Sequence, residues 1–114
     1  MRQYAQITHL NLQDREPDLP AIQPSTRRAA NLQFFLNRDA PAVGRYRLSI
    51  EALRAAGTHI IAAAGRSSDA WPRQVAESLA QQLDCPLVEF AGDHAGFVTH
   101  PKALAASLRQ LLAS

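Results

Sequence analysis

The second half of the chain alternates short apolar runs with stretches whose apolar residues recur at helical spacing. Residues 59–64 and 86–91 are the two runs, and each suits a strand that is covered on both faces, as in parallel sheets. A helix over residues 72–84 is predicted between them, and a last helix over residues 101–112 follows. The pattern therefore predicts a β-α-β-α unit, in which two parallel strands are joined by a right-handed crossover helix.

The first half predicts helices rather than strands. Residues 1–24 are polar and contain three prolines, and only residues 5–12 suggest a weak helix or strand. Ser25 or Thr26 can then cap a helix that runs to about residue 37, because its apolar residues follow helical spacing.

Breaks and caps divide the rest of this half. Pro41 and Gly44 are expected to break the first helix, and Gly57 to end a second one over residues 50–56.

Two parallel strands alone do not make a stable sheet in water, and strands buried on both faces need neighbours. The first half offers no further strands. We therefore expect the chain to be the end of something larger, or to pair with another chain.

Composition fits one globular domain and argues against several classes of protein. The chain has 114 residues, of which 46% are hydrophobic, and its net charge of +2 is dispersed, so no nucleic-acid partner is predicted. No apolar stretch approaches the roughly 20 residues of a membrane span. The N-terminus lacks an apolar signal core, which makes a cytoplasmic location the expectation. The single Cys85 fits a reducing compartment, and the scattered histidines predict neither a metal nor another cofactor.

The stretch at residues 89–101 carries the strongest chemical signal. The second apolar run ends at Gly92, and His94 follows before a second glycine and a His-Pro pair that opens the last helix. Ligand sites in open α/β sheets lie at the carboxyl ends of the strands, and imidazoles titrate near neutral pH. His94 is thus well placed for proton transfer, although a plain polar loop residue is the alternative interpretation.

The Gly-Asp-His-Ala-Gly-Phe sequence at residues 92–97 resembles the segment that carries the catalytic histidine in bacterial α/β-hydrolases. The resemblance extends over roughly residues 25–114. It implies a partial α/β-hydrolase fold, α/β in class, in which two parallel C-terminal strands with crossover and terminal helices follow cap-like helices. Residues 1–24 would be an irregular N-terminal segment, residues 25–57 a cap-like helical segment, and residues 58–114 the C-terminal β-α-β-α unit.

The resemblance also implies roles for single residues. His94 would be the general base of a Ser-His-acid triad. The family's acid commonly lies three residues past the glycine that is Gly65 here, a position held by Ser68. Asp69, one residue further on, is the candidate acid, with a turn residue or helix N-cap as the alternative. Asp93 is expected to point away from His94 and to face solvent.

The family's nucleophile lies on a Gly-x-Ser-x-Gly elbow, which this sequence lacks. Ser67 and Ser68 follow Gly65 without a closing glycine and lie where the acid loop belongs. We therefore expect no catalysis by the chain alone. Phe35 and Phe97 could wall a substrate pocket, and packing is the alternative role for both.

The predicted partners follow from the resemblance to α/β-hydrolases and from its alternatives. A small-molecule substrate is expected only if the missing N-terminal part completes the site. A non-catalytic module is the alternative, in which the exposed sheet edge pairs with a second copy of the chain or with a partner. A further alternative is a free-standing binder of small molecules that uses the loop at residues 92–97.

Overall fold

The computed structural model describes residues 11–114, which form two units. One unit is Pro20–Ser49, and the other combines residues 11–19 with Ile50–Ser114. The weak element predicted at residues 5–12 therefore lies almost entirely outside the described residues.

The first unit begins with helix α1, Thr26–Phe34, whose start is set by a serine cap. The hydroxyl of Ser25 accepts a hydrogen bond of 3.1 Å from the backbone N–H of Arg28. This satisfies one of the N–H groups that lack a partner at a helix start. The predicted cap at Ser25 is confirmed.

The prediction that Pro41 and Gly44 break this helix was wrong. The chain continues from α1 through a π-helical turn, Phe35–Asp39, into helix α2, Ala40–Arg45. The N–H of Ala40 donates to the carbonyl of Phe35, five residues back, which widens the turn. Pro41 is the second residue of α2, directly after this widened turn.

The second unit contains the predicted β-α-β-α pattern. Its elements are α3 (Ile50–Ala55), β1 (Ala62–Gly65), α4 (Ala70–Leu83), β2 (Leu87–Phe90), α5 (Gly96–Thr99) and α6 (Pro101–Leu112). The strands pair in parallel, with Ala62 opposite Leu87 and Gly65 opposite Phe90, and they form a two-stranded sheet. The α/β character is therefore confirmed. Each strand is shorter than its apolar run, and the four-residue α5 was not predicted.

Two helices of this unit are each followed by a residue with a left-handed backbone. Gly57, just after α3, has a φ of 65°, as its predicted capping role requires. Asp84 ends α4 with a φ of 51°, and the next N–H, that of Cys85, donates to the carbonyl of Ala80. This bond turns the chain back towards β2.

The packed interior of the described chain consists of small side chains. Ala62, Ala64, Ala80 and Ala95 are its buried apolar residues. Helix α4 packs against both strands and α6 against β2. Large apolar side chains stay on the surface, among them Trp71, Phe97 and Leu112, which are 50%, 66% and 81% exposed. No helix within residues 11–114 has the length and apolar character needed to cross a membrane.

Candidate functional site

The loops that follow β1 and β2 leave the sheet at the same edge and touch through their backbones. The N–H of Arg66 donates to the carbonyl of Phe90 at 2.8 Å, and the N–H of Ser67 to that of Gly92 at 3.0 Å. A Cβ on Gly65 would lie only 2.5 Å from the carbonyl oxygen of Asp93, so the approach requires a glycine. We name residues 65–69 the β1 loop and residues 91–95 the histidine loop.

The carboxylate of Asp93 organises the histidine loop. Its Oδ1 accepts a hydrogen bond of 2.7 Å from the N–H of Ala95, and its Oδ2 accepts one of 2.7 Å from the N–H of Asn11. The expectation that Asp93 faces solvent was wrong, because its side chain is half-buried and closes a turn of the kind that aspartates commonly form. An Asp two residues before a tight Ala-Gly step was the signal for this role in the sequence.

Two glycines let the loop fold back on itself. Gly92 has a φ of 83°, and Gly96 lies so close to the carbonyl of Ala91 that a Cβ would be 2.5 Å from its oxygen. Helix α5 starts at Gly96 and buries Thr99, which is only 2% exposed. His94 is therefore held between two positions that only glycine fits easily.

His94 is exposed at the tip of its loop and lines a cavity of about 190 Å³ at this edge of the sheet. Its ring centroid lies 6.4 Å from that of Trp71, with the two ring planes tilted by 46°. Other lining residues are Ala63, Ala64, Gly65, Ser68, Pro72, Phe90, Ala91, Asp93, Gly96, Phe97 and Leu104. The contact with Trp71 was not predicted from the sequence.

The candidate acid occupies the N-cap position of α4. Asp69 has an extended backbone there, and its carboxylate makes no capping hydrogen bond. Ser68, at the position where the resemblance places an acid, lines the cavity with His94. The described lining residues include Ser68 and not Asp69, and the pairing of His94 with Asp69 stays a prediction.

The two phenylalanines predicted for a pocket lie in different units. Phe97 lines the cavity and is largely exposed, as a residue on its wall would be. Phe35 starts the π-helical turn of the first unit, and its pocket role stays a prediction.

An ion cluster lies beside the cavity and joins β2 to α4 and the β1 loop. Arg73 donates hydrogen bonds to Glu89 and Glu77, and Nε of Arg66 lies 3.9 Å from Oε2 of Glu89. The hydrogen bond from Arg73, followed by its charge, holds the pKa of Glu89 below its usual range, and Glu89 in turn raises the pKa of Arg73. None of these four residues lines the cavity, so we assign the cluster a structural role.

Metal-binding capacity is not seen in the described part of the chain. Within residues 11–114, no group of three His, Cys, Asp or Glu side chains is arranged to hold a metal ion.

Comparison with known proteins gives one informative similarity. No family model matches the chain. The chain is similar to a Bacillus subtilis protein named uncharacterized hydrolase YraK, with 31% identity over 91 residues. The match covers 75% of this chain and 34% of that protein, so the chain spans about a third of the length of this curated relative. The similarity supports a relationship to hydrolases.

Proposed function

We propose that the chain is the C-terminal part of a hydrolase of the α/β-hydrolase type and that it supplies the general base, His94. The observation that carries this proposal is the cavity at the carboxyl edge of two parallel strands, which His94 lines together with the β1 loop. Such edges are where open α/β sheets bind their ligands. The similarity to a protein named as a hydrolase supports the same reaction class.

In the proposed reaction, His94 accepts the proton of a serine hydroxyl as the serine oxygen attacks an acyl carbon. It then passes that proton to the leaving group as the bond from the acyl carbon to that group breaks, and water, deprotonated by His94, then hydrolyses the acyl-serine. Its exposed ring is accessible to such a hydroxyl. Asp69 is the proposed acid that orients the ring, because it lies on the neighbouring β1 loop. The serine would come from the preceding part of the protein, since residues 1–114 contain no Gly-x-Ser-x-Gly sequence.

The surface of the second unit supports completion by further chain. Its buried apolar residues are alanines, while Trp71 and Phe97 beside the cavity are at least half exposed. Strands of parallel sheets are normally covered on both faces, and within residues 11–114 no third strand pairs with either outer edge of the sheet. Additional strands and helices would bury these groups. On this proposal the chain alone lacks hydrolase activity.

The experiment is a chimera in which residues 50–114 replace the matching segment of the Bacillus hydrolase. We expect the chimera to hydrolyse short acyl esters and to lose at least about a hundredfold in kcat with His94→Ala, the usual contribution of a general base. His59→Ala is the matched control, because His59 is an exposed histidine at the opposite end of β1. An active chimera that tolerates His94→Ala would refute the proposed role, and the isolated chain should give no turnover above its own His94→Ala variant.

A second candidate function is self-association through the sheet. The specific observation is that the sheet has two strands in the described part of the chain, and the outer edges of such a sheet suit pairing with a second copy. Sedimentation velocity distinguishes the two candidate functions, because a stable dimer that survives dilution favours self-association. A monodisperse monomer with a sharp two-state melt would count against both, since it implies a self-sufficient core.

A further inference from the structure

A segment far from the histidine loop in sequence lies directly against it. Residues 11–18, which we call the strap, contact the histidine loop, α5 and the start of α6. The N–H of Asn11 donates to Oδ2 of Asp93 at 2.7 Å, and the N–H of Glu16 donates to the carbonyl of Thr99 at 2.9 Å. The strap therefore binds the chain both before and after His94.

The carboxylate of Glu16 caps helix α6 from outside the helix. Its Oε1 accepts a hydrogen bond of 2.9 Å from the N–H of Ala103, and its Oε2 accepts one of 3.3 Å from the N–H of Lys102. The residue at the N-cap itself, His100, makes no side-chain capping bond. A negative charge at a helix N-terminus is also favoured by the helix dipole. Glu16 thus provides the cap that the local sequence lacks.

Two ion pairs of the strap have longer distances. Oδ1 of Asp14 lies 3.8 Å from Nε2 of His100, and Oδ2 of Asp18 lies 3.5 Å from Nζ of Lys102. The side chain of Asp18 is 79% exposed, and exposed ion pairs contribute little to stability. Glu16 binds this part of the chain through one hydrogen bond that its N–H donates and two that its carboxylate accepts.

We propose that Glu16 is a positioning residue for His94. It fixes the end of α5 and the start of α6, while the bond from Asn11 to Asp93 fixes the turn before His94. Both ends of the segment that presents the imidazole are then anchored by the strap. None of the described strap residues lines the cavity, so Glu16 acts through the backbone of the loop and not on a bound molecule. The value of this for catalysis rests on the proposed function, whereas the anchoring itself can be measured without turnover.

The single tryptophan of the chain gives a direct readout of where His94 lies. Trp71 faces the ring of His94, and a protonated imidazole beside an indole quenches its fluorescence. We expect the emission of the unmodified chain to fall when acid protonates His94. His94→Gln should abolish the fall. Glu16→Ala should reduce its amplitude to about half or less, because the loop then samples open positions.

Matched variants separate positioning from general damage. Glu16→Gln retains an oxygen that can accept one of the two amide bonds and should restore most of the amplitude, and Asp18→Asn should leave it unchanged. Full amplitude in Glu16→Ala, or no His94-dependent fall in the unmodified chain, would overturn the proposal. If Glu16→Ala loses its helical circular dichroism, hydrogen exchange of the Lys102 and Ala103 amides in Glu16→Gln decides, because the single oxygen of glutamine replaces only one of the two acceptors. Exchange several-fold faster than in Asp18→Asn at one of the two amides supports the proposal, and equal exchange at both overturns it. None of these results depends on whether the chain hydrolyses anything.

Discussion

The two loops at the carboxyl edge of the sheet lie side by side but are held in different ways. In the β1 loop, the N–H groups of Arg66, Ser67 and Ser68 donate to backbone carbonyls at 2.8, 3.0 and 3.0 Å. The histidine loop also depends on a side chain, because both carboxylate oxygens of Asp93 accept backbone N–H groups. The strap adds a further hydrogen bond at Thr99.

This difference indicates where the fold specifies geometry. After Gly65, which the close approach of the two loops requires, backbone hydrogen bonds hold the β1 loop, so Ser67 and Ser68 can change without moving the chain. The histidine loop is specified residue by residue through Asp93, two glycines and the strap. Precise placement of a side chain is what proton transfer requires, because a base acts only within hydrogen-bonding reach. The comparison therefore favours His94, more than any residue of the β1 loop, as the functional group of this edge.

The largest effect is expected where the two loops touch. Gly65→Ala places a Cβ 2.5 Å from the carbonyl oxygen of Asp93 and 2.7 Å from that of Gly92, and neither backbone can yield easily. We expect a loss of about 2 to 3 kcal/mol in the free energy of unfolding, measured by urea denaturation. The control is Gly44→Ala, because no atom lies within 4 Å of its added Cβ. That helical position should gain up to about 1 kcal/mol. Equal effects at the two glycines would mean that the loops do not touch.

A smaller effect is expected from the side chain that closes the histidine loop. Asp93→Ala leaves the N–H groups of Ala95 and Asn11 without their acceptor and should cost about 1 to 2 kcal/mol in unfolding free energy. Asp93→Asn keeps an oxygen acceptor and should cost less. Thermal melts of both variants, compared with Asp18→Ala at an exposed position, test this order. If Asp93→Ala caused no loss of stability, the histidine loop would not depend on this side chain, and the contrast with the β1 loop would fail.

A still smaller, pH-dependent effect is expected at the ion cluster between β2 and the β1 loop. The pKa of Glu89 is lowered in the folded protein by the hydrogen bond and charge of Arg73. The stabilisation is therefore present above the ordinary glutamate pKa and is lost as the pH falls through the lowered value. Glu89→Gln should lower Tm slightly at neutral pH and not at strongly acidic pH, and salt should shrink the difference. A Tm difference that is larger at acidic pH than at neutral pH would contradict the assigned direction of the pKa shift of Glu89.

Much of the second unit could be predicted from the sequence, because its apolar runs and helical stripes are governed by local pattern. The parallel strands, α4 and α6 follow from such patterns, and so does the position of His94 at the strand edge. The contact between the strap and the start of α6 could not be predicted. Glu16 accepts a hydrogen bond from Ala103, which is 87 residues away in sequence, and no periodic pattern indicates a contact over that separation. Helix continuation past Pro41 was missed for a related reason. It depends on the register of a π-helical turn, which apolar spacing does not reveal.

The smallest effect is expected from the serines of the β1 loop. Ser67 and Ser68 contribute their backbone N–H groups to the loop, and alanine provides the same groups. Ser67→Ala and Ser68→Ala should each change the free energy of unfolding by no more than about 0.5 kcal/mol, measured under the conditions used for Gly65→Ala. A loss above about 1 kcal/mol at either serine would show that this loop also depends on its side chains, and the contrast between the loops would fail. The same two variants test the chemistry, because Ser68 lines the cavity with His94. If the isolated chain hydrolysed acyl esters and either substitution abolished that turnover while the fold persisted, the nucleophile would have to lie on the β1 loop.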